Sequence, residues 1–226
     1  MPRVVRIGHR GAAGHAPENT LAAIQRGIEL QVDFVEIDVR CTADGILVAL
    51  HDATISRTTN GKGRVDSLSL REVQAFNAGN GEHVPTLDEV LKAASGKTGL
   101  MLELKVEGVA QQTVDAVREA GFSYPVIYAS FLHGELTQVR SVDPEAALMV
   151  LFSRLPRAPV ARAREYRSAY VGLRHDTVTR RLVDAFHQEN LLVWVYTADS
   201  ISEIQRALAL GVDGVISNFP DRIGRQ

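Results

Sequence analysis

Cysteine is nearly absent from the 226 residues, since Cys41 stands alone. That excludes an intramolecular disulfide and any zinc site built from several cysteines. Aromatic residues are scarce as well, at 6% of the chain. Neither charge sign dominates: 25 Lys and Arg oppose 27 Asp and Glu, for a formal net charge of −2. Nucleic-acid binding or membrane adhesion driven by bulk positive charge is therefore disfavoured. No apolar run approaches the roughly 20 residues that cross a bilayer, so no membrane insertion is expected. The strand-like run of Val4, Val5 and Ile7 begins almost at the initiator Met, which leaves no room for a secretory leader. A reduced, cytoplasmic setting is the expectation.

What is abundant is ordinary core material, with 45% apolar and 23% charged residues. Short apolar, β-branched runs recur at Val4–Gly8, Phe34–Arg40, Ile46–His51, Leu100–Lys105, Val126–Phe131, Ala147–Phe152, Ala169–Leu173, Leu191–Thr197 and Gly214–Ser217. Helical spacing separates most of them, with stripes such as Leu21, Ile24, Ile28 and Leu87, Val90, Leu91. The further helical stretches are Val109–Ala120, Leu182–Glu189 and Ile201–Leu210, with Gly121 and Gly211 as stops. Repeated strand–helix units imply a parallel sheet covered by helices. About eight units in this length point to an α/β fold of the (β/α)₈ TIM-barrel type, with an open doubly wound sheet as the alternative. No linker divides the chain, so residues 1–226 read as a single domain. Residues 52–85 are rich in Gly, Asn, Ser and Thr and read as a small insertion after the second strand unit.

Two strands carry acidic groups on one face. Side chains two apart in a strand point the same way. Glu36 and Asp38 thus oppose Val35, Ile37 and Val39, and Glu103 opposes Leu102 and Leu104. If the aliphatic rows face the helices, the three carboxylates turn into the barrel, where an unpaired charge costs several kcal/mol. One hard divalent cation, Mg²⁺ or Ca²⁺, would neutralise them. A salt-bridge network of these acids with Lys105 and Arg40 is the alternative. His9 and His51 end strand-like runs, at the rim where barrel enzymes keep their chemistry, and suit general acid and base roles. His15, His83, His133, His175 and His187 are assigned to loops or helix surfaces. Arg10, Lys105 and the glycines Gly8, Gly11 and Gly14 offer a phosphate cations and close backbone approach.

The strings His9-Arg10-Gly11, Pro17-Glu18-Asn19-Thr20, Glu36-x-Asp38, His51-Asp52 and Arg57-Thr58-Thr59-Asn60-Gly61 resemble those of the glycerophosphodiester phosphodiesterase family. The resemblance continues through Pro85-Thr86-Leu87, Glu103-Leu104-Lys105, Ser130-Phe131, Gly211-Val212-Asp213-Gly214 and Ser217-Asn218-Phe219-Pro220-Asp221. It implies a TIM barrel binding one divalent metal and cleaving small-molecule glycerophosphodiesters, such as glycerophosphocholine or glycerophosphoethanolamine, to glycerol 3-phosphate and an alcohol. By the same resemblance Glu36, Asp38 and Glu103 are the metal ligands, and His9 and His51 the acid/base pair. Arg10 and Lys105 bind phosphate, and Asn19 orders their loop. Tyr196-Thr197 stands where the family has Trp-Thr, and Trp194, two residues earlier on the same strand face, joins Tyr196 as a candidate substrate wall. The resemblance leaves open which histidine is the base, and whether water or a glycerol hydroxyl attacks. A related phosphodiesterase acting on lysophospholipids or phosphoinositides is the rival activity; its apolar ramp would draw on Phe131, Leu132, Phe152, Leu155 and Phe219. A non-catalytic phosphate-ester binding protein is a further rival. Nothing in the sequence fixes the oligomeric state, and a homodimer is one option.

Overall fold

A computed structural model describes residues 3–224. Nine strands form in chain order: β1 (Val5–Gly8), β2 (Phe34–Cys41), β3 (Leu47–Ala49), β4 (Gly99–Leu104), β5 (Val126–Ser130), β6 (Ala147–Phe152), β7 (Tyr170–Arg174), β8 (Leu192–Tyr196) and β9 (Gly214–Ser217). All but β3 are parallel. β1 pairs with both β2 and β9, which closes the eight into a TIM barrel. The helices are α1 (Leu21–Glu29), α2 (Leu70–Gln74), α3 (Leu87–Ala94), α4 (Ala110–Glu119), α5 (His133–Val142), α6 (Pro159–Glu165), α7 (Arg180–His187) and α8 (Ile201–Ala209).

Local chemistry sets the helix starts. Thr20 accepts from the Ala23 N–H at the head of α1, and α3 and α8 open on full capping boxes, Thr86 with Glu89 and Ser200 with Glu203. Helix α4 has no such cap of its own. The buried Glu135 of α5 accepts from the N–H groups of Gly108, Val109 and Ala110 instead. A negative charge there also suits the positive end of the α4 dipole.

The alternation along each strand sorts side chains into two apolar layers. Outside the barrel, Val35, Ile37, Val39, Leu100, Leu102 and Leu104 pack in one cluster with Ile24, Val90 and Leu91 of the helices. Inside, Ile7, Met101, Ile127, Met149, Trp194 and Ile216 fill the lower barrel. Each such side chain, fully buried, contributes roughly 1.5–3 kcal/mol. The polar residues of the same inward face stack above this plug.

One expected barrel strand is something else. The run at Ile46–His51 becomes β3, which returns antiparallel along β2, with Leu47 opposite Cys41 and Ala49 opposite Val39. The turn between them is closed by Asp44-Gly45, where Gly45 has a φ of +79° and its N–H donates to the Thr42 carbonyl. An Asp-Gly pair in that conformation makes a tight reversal. The insertion that follows packs its own small core of Val48, Leu50, Ile55, Val65, Val73 and Val84.

Candidate active site

Strands β2 and β4 are neighbours, in a register that sets Asp38 beside Glu103 and Glu36 beside Met101. Oxygens of Glu36, Asp38 and Glu103 consequently lie within 4.8 Å of one another at the mouth of the barrel. Glu36 and Asp38 are 2% and 1% exposed. Asn19, whose φ is +57°, holds Asp38 from two sides: its Nδ2 donates to Asp38 Oδ2 at 2.8 Å and its Oδ1 accepts from the Asp38 N–H. One oxygen of Glu36 accepts from the Arg10 N–H at 2.8 Å, but Oε1 is buried with no hydrogen-bond partner. Burial, followed by the neighbouring charge of Asp38, pushes the Glu36 carboxyl up to about 8 and that of Glu103 up to about 7. Three converging acids, an orphaned buried oxygen and hard oxygen donors fit a divalent cation.

Cations compensate part of this charge. Lys105 Nζ pairs with Glu103 and lies 3.5 Å from Asp38. Arg10 reaches Asp38 through Nε at 3.2 Å and Glu18 through a terminal nitrogen at 2.7 Å. Arg10 takes a φ of +49°. Its neighbour Gly11, at φ +90°, has no space for a side chain, because a Cβ there would lie 2.4 Å from the Ala23 backbone. Arg40 forms no ion pair with the three acids among the described residues, and its Nε donates to the His51 carbonyl at 2.8 Å.

Both histidines line the same cavity with Glu36, Glu103, Arg10 and Lys105, a space of about 170 Å³. His9 follows β1, as its inward-facing register requires. His51 arrives by another route, because the antiparallel β3 carries the chain back along β2 towards Asp38, whose carbonyl accepts from the Leu50 N–H. Each ring is oriented through Nδ1. His51 Nδ1 is 2.6 Å from Asp52 Oδ1, and His9 Nδ1 is 2.7 Å from Asn218 Oδ1. The Asn218 amide orientation is set by Asp199, which accepts from Asn218 Nδ2 at 2.7 Å and from its backbone N–H. The oxygen of Asn218 therefore faces His9, so His9 carries its proton on Nδ1 and leaves Nε2 open. Burial lowers the pKa of both histidines, with the charge of Arg10 adding to the effect at His9.

Several supporting residues carry no role in the sequence reading. Arg57 donates through Nε to Asp52 at 2.6 Å and through both terminal nitrogens to Glu18, at 2.8 and 2.7 Å. Glu18 also takes the contact from Arg10, so one chain of charges runs Arg10–Glu18–Arg57–Asp52–His51. Burial opposes ionisation of Glu18, but the Arg57 hydrogen bonds and the Arg10 charge outweigh it and hold the carboxyl at about 2. Arg57 and Glu18 lie inside recognisable motifs, yet 39 residues separate them and no periodicity joins them.

The aromatic wall is half of what the sequence suggests. Tyr196 lines the cavity, stacks edge-on to Phe131 at 5.8 Å and donates its hydroxyl to the Phe152 carbonyl at 2.7 Å. Trp194 does not line it. The indole is 1% exposed and packs between Phe34 and Tyr170, with ring centroids at 5.3 and 5.1 Å. Trp194 and Tyr196 share a face, but two residues along a strand is about 6.6 Å, a full layer deeper. Register explains the position: Trp194 sits beside Gly172 and Gly214, and a Cβ at Gly214 would lie 2.7 Å from the indole, so that glycine leaves space for its ring. The other histidines have structural partners, including Asp221 for His15 and Asp213 for His187.

A match to the glycerophosphoryl diester phosphodiesterase family spans residues 9–222. The chain belongs to that family. It is an enzyme of the phosphodiester-hydrolysing class. A glycerophosphodiester phosphodiesterase of Caldanaerobacter subterraneus is 32% identical over 230 residues, covering 96% of this chain and 95% of its own. Among solved structures, an Oleispira antarctica phosphodiesterase in complex with the product sn-glycerol-3-phosphate superposes with a TM-score of 0.90 at 31% identity, over 99% of this chain and 95% of that one. The glycerophosphodiester phosphodiesterase of Agrobacterium tumefaciens gives a TM-score of 0.86 at 28% identity, over 97% and 99% of the two chains. Among the described residues, no helix is long and apolar enough to cross a membrane.

Proposed function

We propose that this chain hydrolyses glycerophosphodiesters, glycerophosphocholine and glycerophosphoethanolamine among them, to glycerol 3-phosphate and the free alcohol, with one Mg²⁺ or Ca²⁺. The observation that carries this reading is the trio Glu36, Asp38 and Glu103, gathered within 4.8 Å of one another, with Glu36 and Glu103 lining the cavity that His9 and His51 also line. Glu36, Asp38 and Glu103 would hold the cation, which supplies Lewis-acid polarisation of a phosphate oxygen and neutralises developing charge. Arg10 and Lys105, both kept charged by the surrounding carboxylates despite their burial, attract the phosphate into the cavity. Asn218 and Asp52 hold the two imidazoles by Nδ1, so Nε2 of each is the atom that exchanges protons. One histidine takes a proton from the nucleophile and the other delivers one to the leaving alkoxide oxygen. Tyr196 and Phe131 give the glycerol carbons an apolar wall. The product held by the Oleispira antarctica relative accords with this substrate class.

Incubation with glycerophosphocholine, with and without EDTA, tests the reading. Release of glycerol 3-phosphate that stops in EDTA and returns with Mg²⁺ or Ca²⁺ is expected. Undiminished release in EDTA would overturn the metal role, and binding without turnover would overturn catalysis.

A further inference from the structure

The catalytic cavity does not end at its own walls. Phe131 and Leu151 form the boundary to a second depression of about 200 Å³, which runs outward between the loop after β5 and the loop joining β6 to α6. Phe152 and His133 make its floor; their rings meet edge-on at 5.6 Å. Arg154 and Arg162 stand at its rim. On the His51 side of the cavity, Glu18, Arg57 and Asp52 are already tied to one another by ion pairs. A substrate group too large for the catalytic cavity has an open path past Phe131.

Charge says what that group is. Residues 153–167 hold Arg154, Arg157, Arg162, Arg164 and Arg167 against one acid, Glu165. Arg162 pairs with Glu165 at 2.7 Å and lies over the Tyr166 ring, and Arg164 pairs with Glu189 at 2.8 Å. Arg154 has neither a hydrogen bond nor an ion pair among the described residues. The nearest cation on the cavity side is Lys105, 5.8 Å from the centre of the Phe131 ring. A choline or ethanolamine head would meet the guanidinium of Arg154 and no carboxylate among the lining residues, whereas an anion would meet an unpaired guanidinium suited to bidentate contact.

We propose that this depression is the subsite for the leaving alcohol, and that Arg154 with Arg162 selects glycerophosphodiesters whose alcohol carries a further phosphate. The proposal rests on the hydrolytic reading above and names its substrate class. A matched pair of substrates tests it: glycerophosphoinositol, and glycerophosphoinositol 4-phosphate, which differs by one phosphate remote from the scissile bond. The native enzyme should show a kcat/KM about tenfold higher for the phosphorylated substrate, shrinking as salt is raised. The double variant Arg154→Gln, Arg162→Gln should bring the ratio to about one and leave glycerophosphoinositol turnover within about twofold. Equal use of the two substrates by the native enzyme, a preference for glycerophosphocholine over both, or a preference that survives the double variant would each overturn the proposal while leaving the hydrolytic reading standing. Failure to cleave any glycerophosphodiester would overturn that reading, and this subsite with it.

Discussion

Substituting Glu36→Gln should make the metal-free protein more stable while removing its function. Glu36 keeps the Arg10 N–H as a donor to one oxygen, and the amide oxygen of Gln can accept that same bond. What changes is charge. Burial, then Asp38, raises the Glu36 carboxyl from 4.5 to about 8 in the folded protein. Between those two values the folded chain binds a proton that the unfolded chain has lost, so stability falls as pH rises and levels off above about 8. At roughly 1.4 kcal/mol per pH unit, the loss is under about 1 kcal/mol at pH 5 and about 4 kcal/mol at pH 8. Gln escapes this loss. In a chain of this size the variant should therefore melt about 10 °C above the native protein at pH 8, in EDTA, and only a few degrees above it at pH 5. Adding Mg²⁺ or Ca²⁺ at pH 8 should raise the native melting temperature and leave the variant's unchanged. Thermal denaturation followed by circular dichroism reads all of this. A variant no more stable than the native protein at pH 8, or an advantage that ignores pH, would refute the idea that the three carboxylates are held together at mutual cost.

Three further outcomes are expected. His9→Ala and His51→Ala should each lower kcat by about 10²–10⁴ with the far-ultraviolet spectrum unchanged, and full activity in either variant removes that residue from proton transfer. Arg57→Gln frees Asp52 and Glu18 together, and should cost roughly tenfold in kcat with little change in melting temperature; an unaltered kcat would show that the charge chain does not position His51. Trp194→Phe should lower stability by about 1–2 kcal/mol through lost packing while KM stays within about twofold, and a large rise in KM would return the indole to the substrate wall.

How far the sequence reaches is clearest at β2. Alternation alone places Glu36 and Asp38 on the face opposite Val35, Ile37 and Val39, and the aliphatic row does lie against the helices. The glycine stops at Gly121 and Gly211 were equally legible, because left-handed turns depend on one or two residues. The Ile46–His51 run shows where periodicity falls short: a strand has the same pattern whether its partner is parallel or antiparallel. The Asp44-Gly45 turn carried the missing signal. Helices α5 and α6 lie outside the helical stretches of the sequence reading. Both lack a side-chain N-cap, and the acid in the first turn of α5, Glu135, caps the start of α4 rather than its own helix.

Local residue chemistry therefore determined which side chains face inward and where most helices begin. Those properties depend on spacings of two to four residues. The depth of each inward side chain and its distant partners were decided only by tertiary structure. Depth follows strand register, which puts Trp194 beside two glycines below the cavity and Tyr196 in it. Partners such as Asn218 for His9 and Arg57 for Glu18 are 209 and 39 residues apart. They meet because barrel closure brings β1 beside β9 and the insertion folds back over the mouth, an outcome of the whole packed sheet that no local pattern encodes.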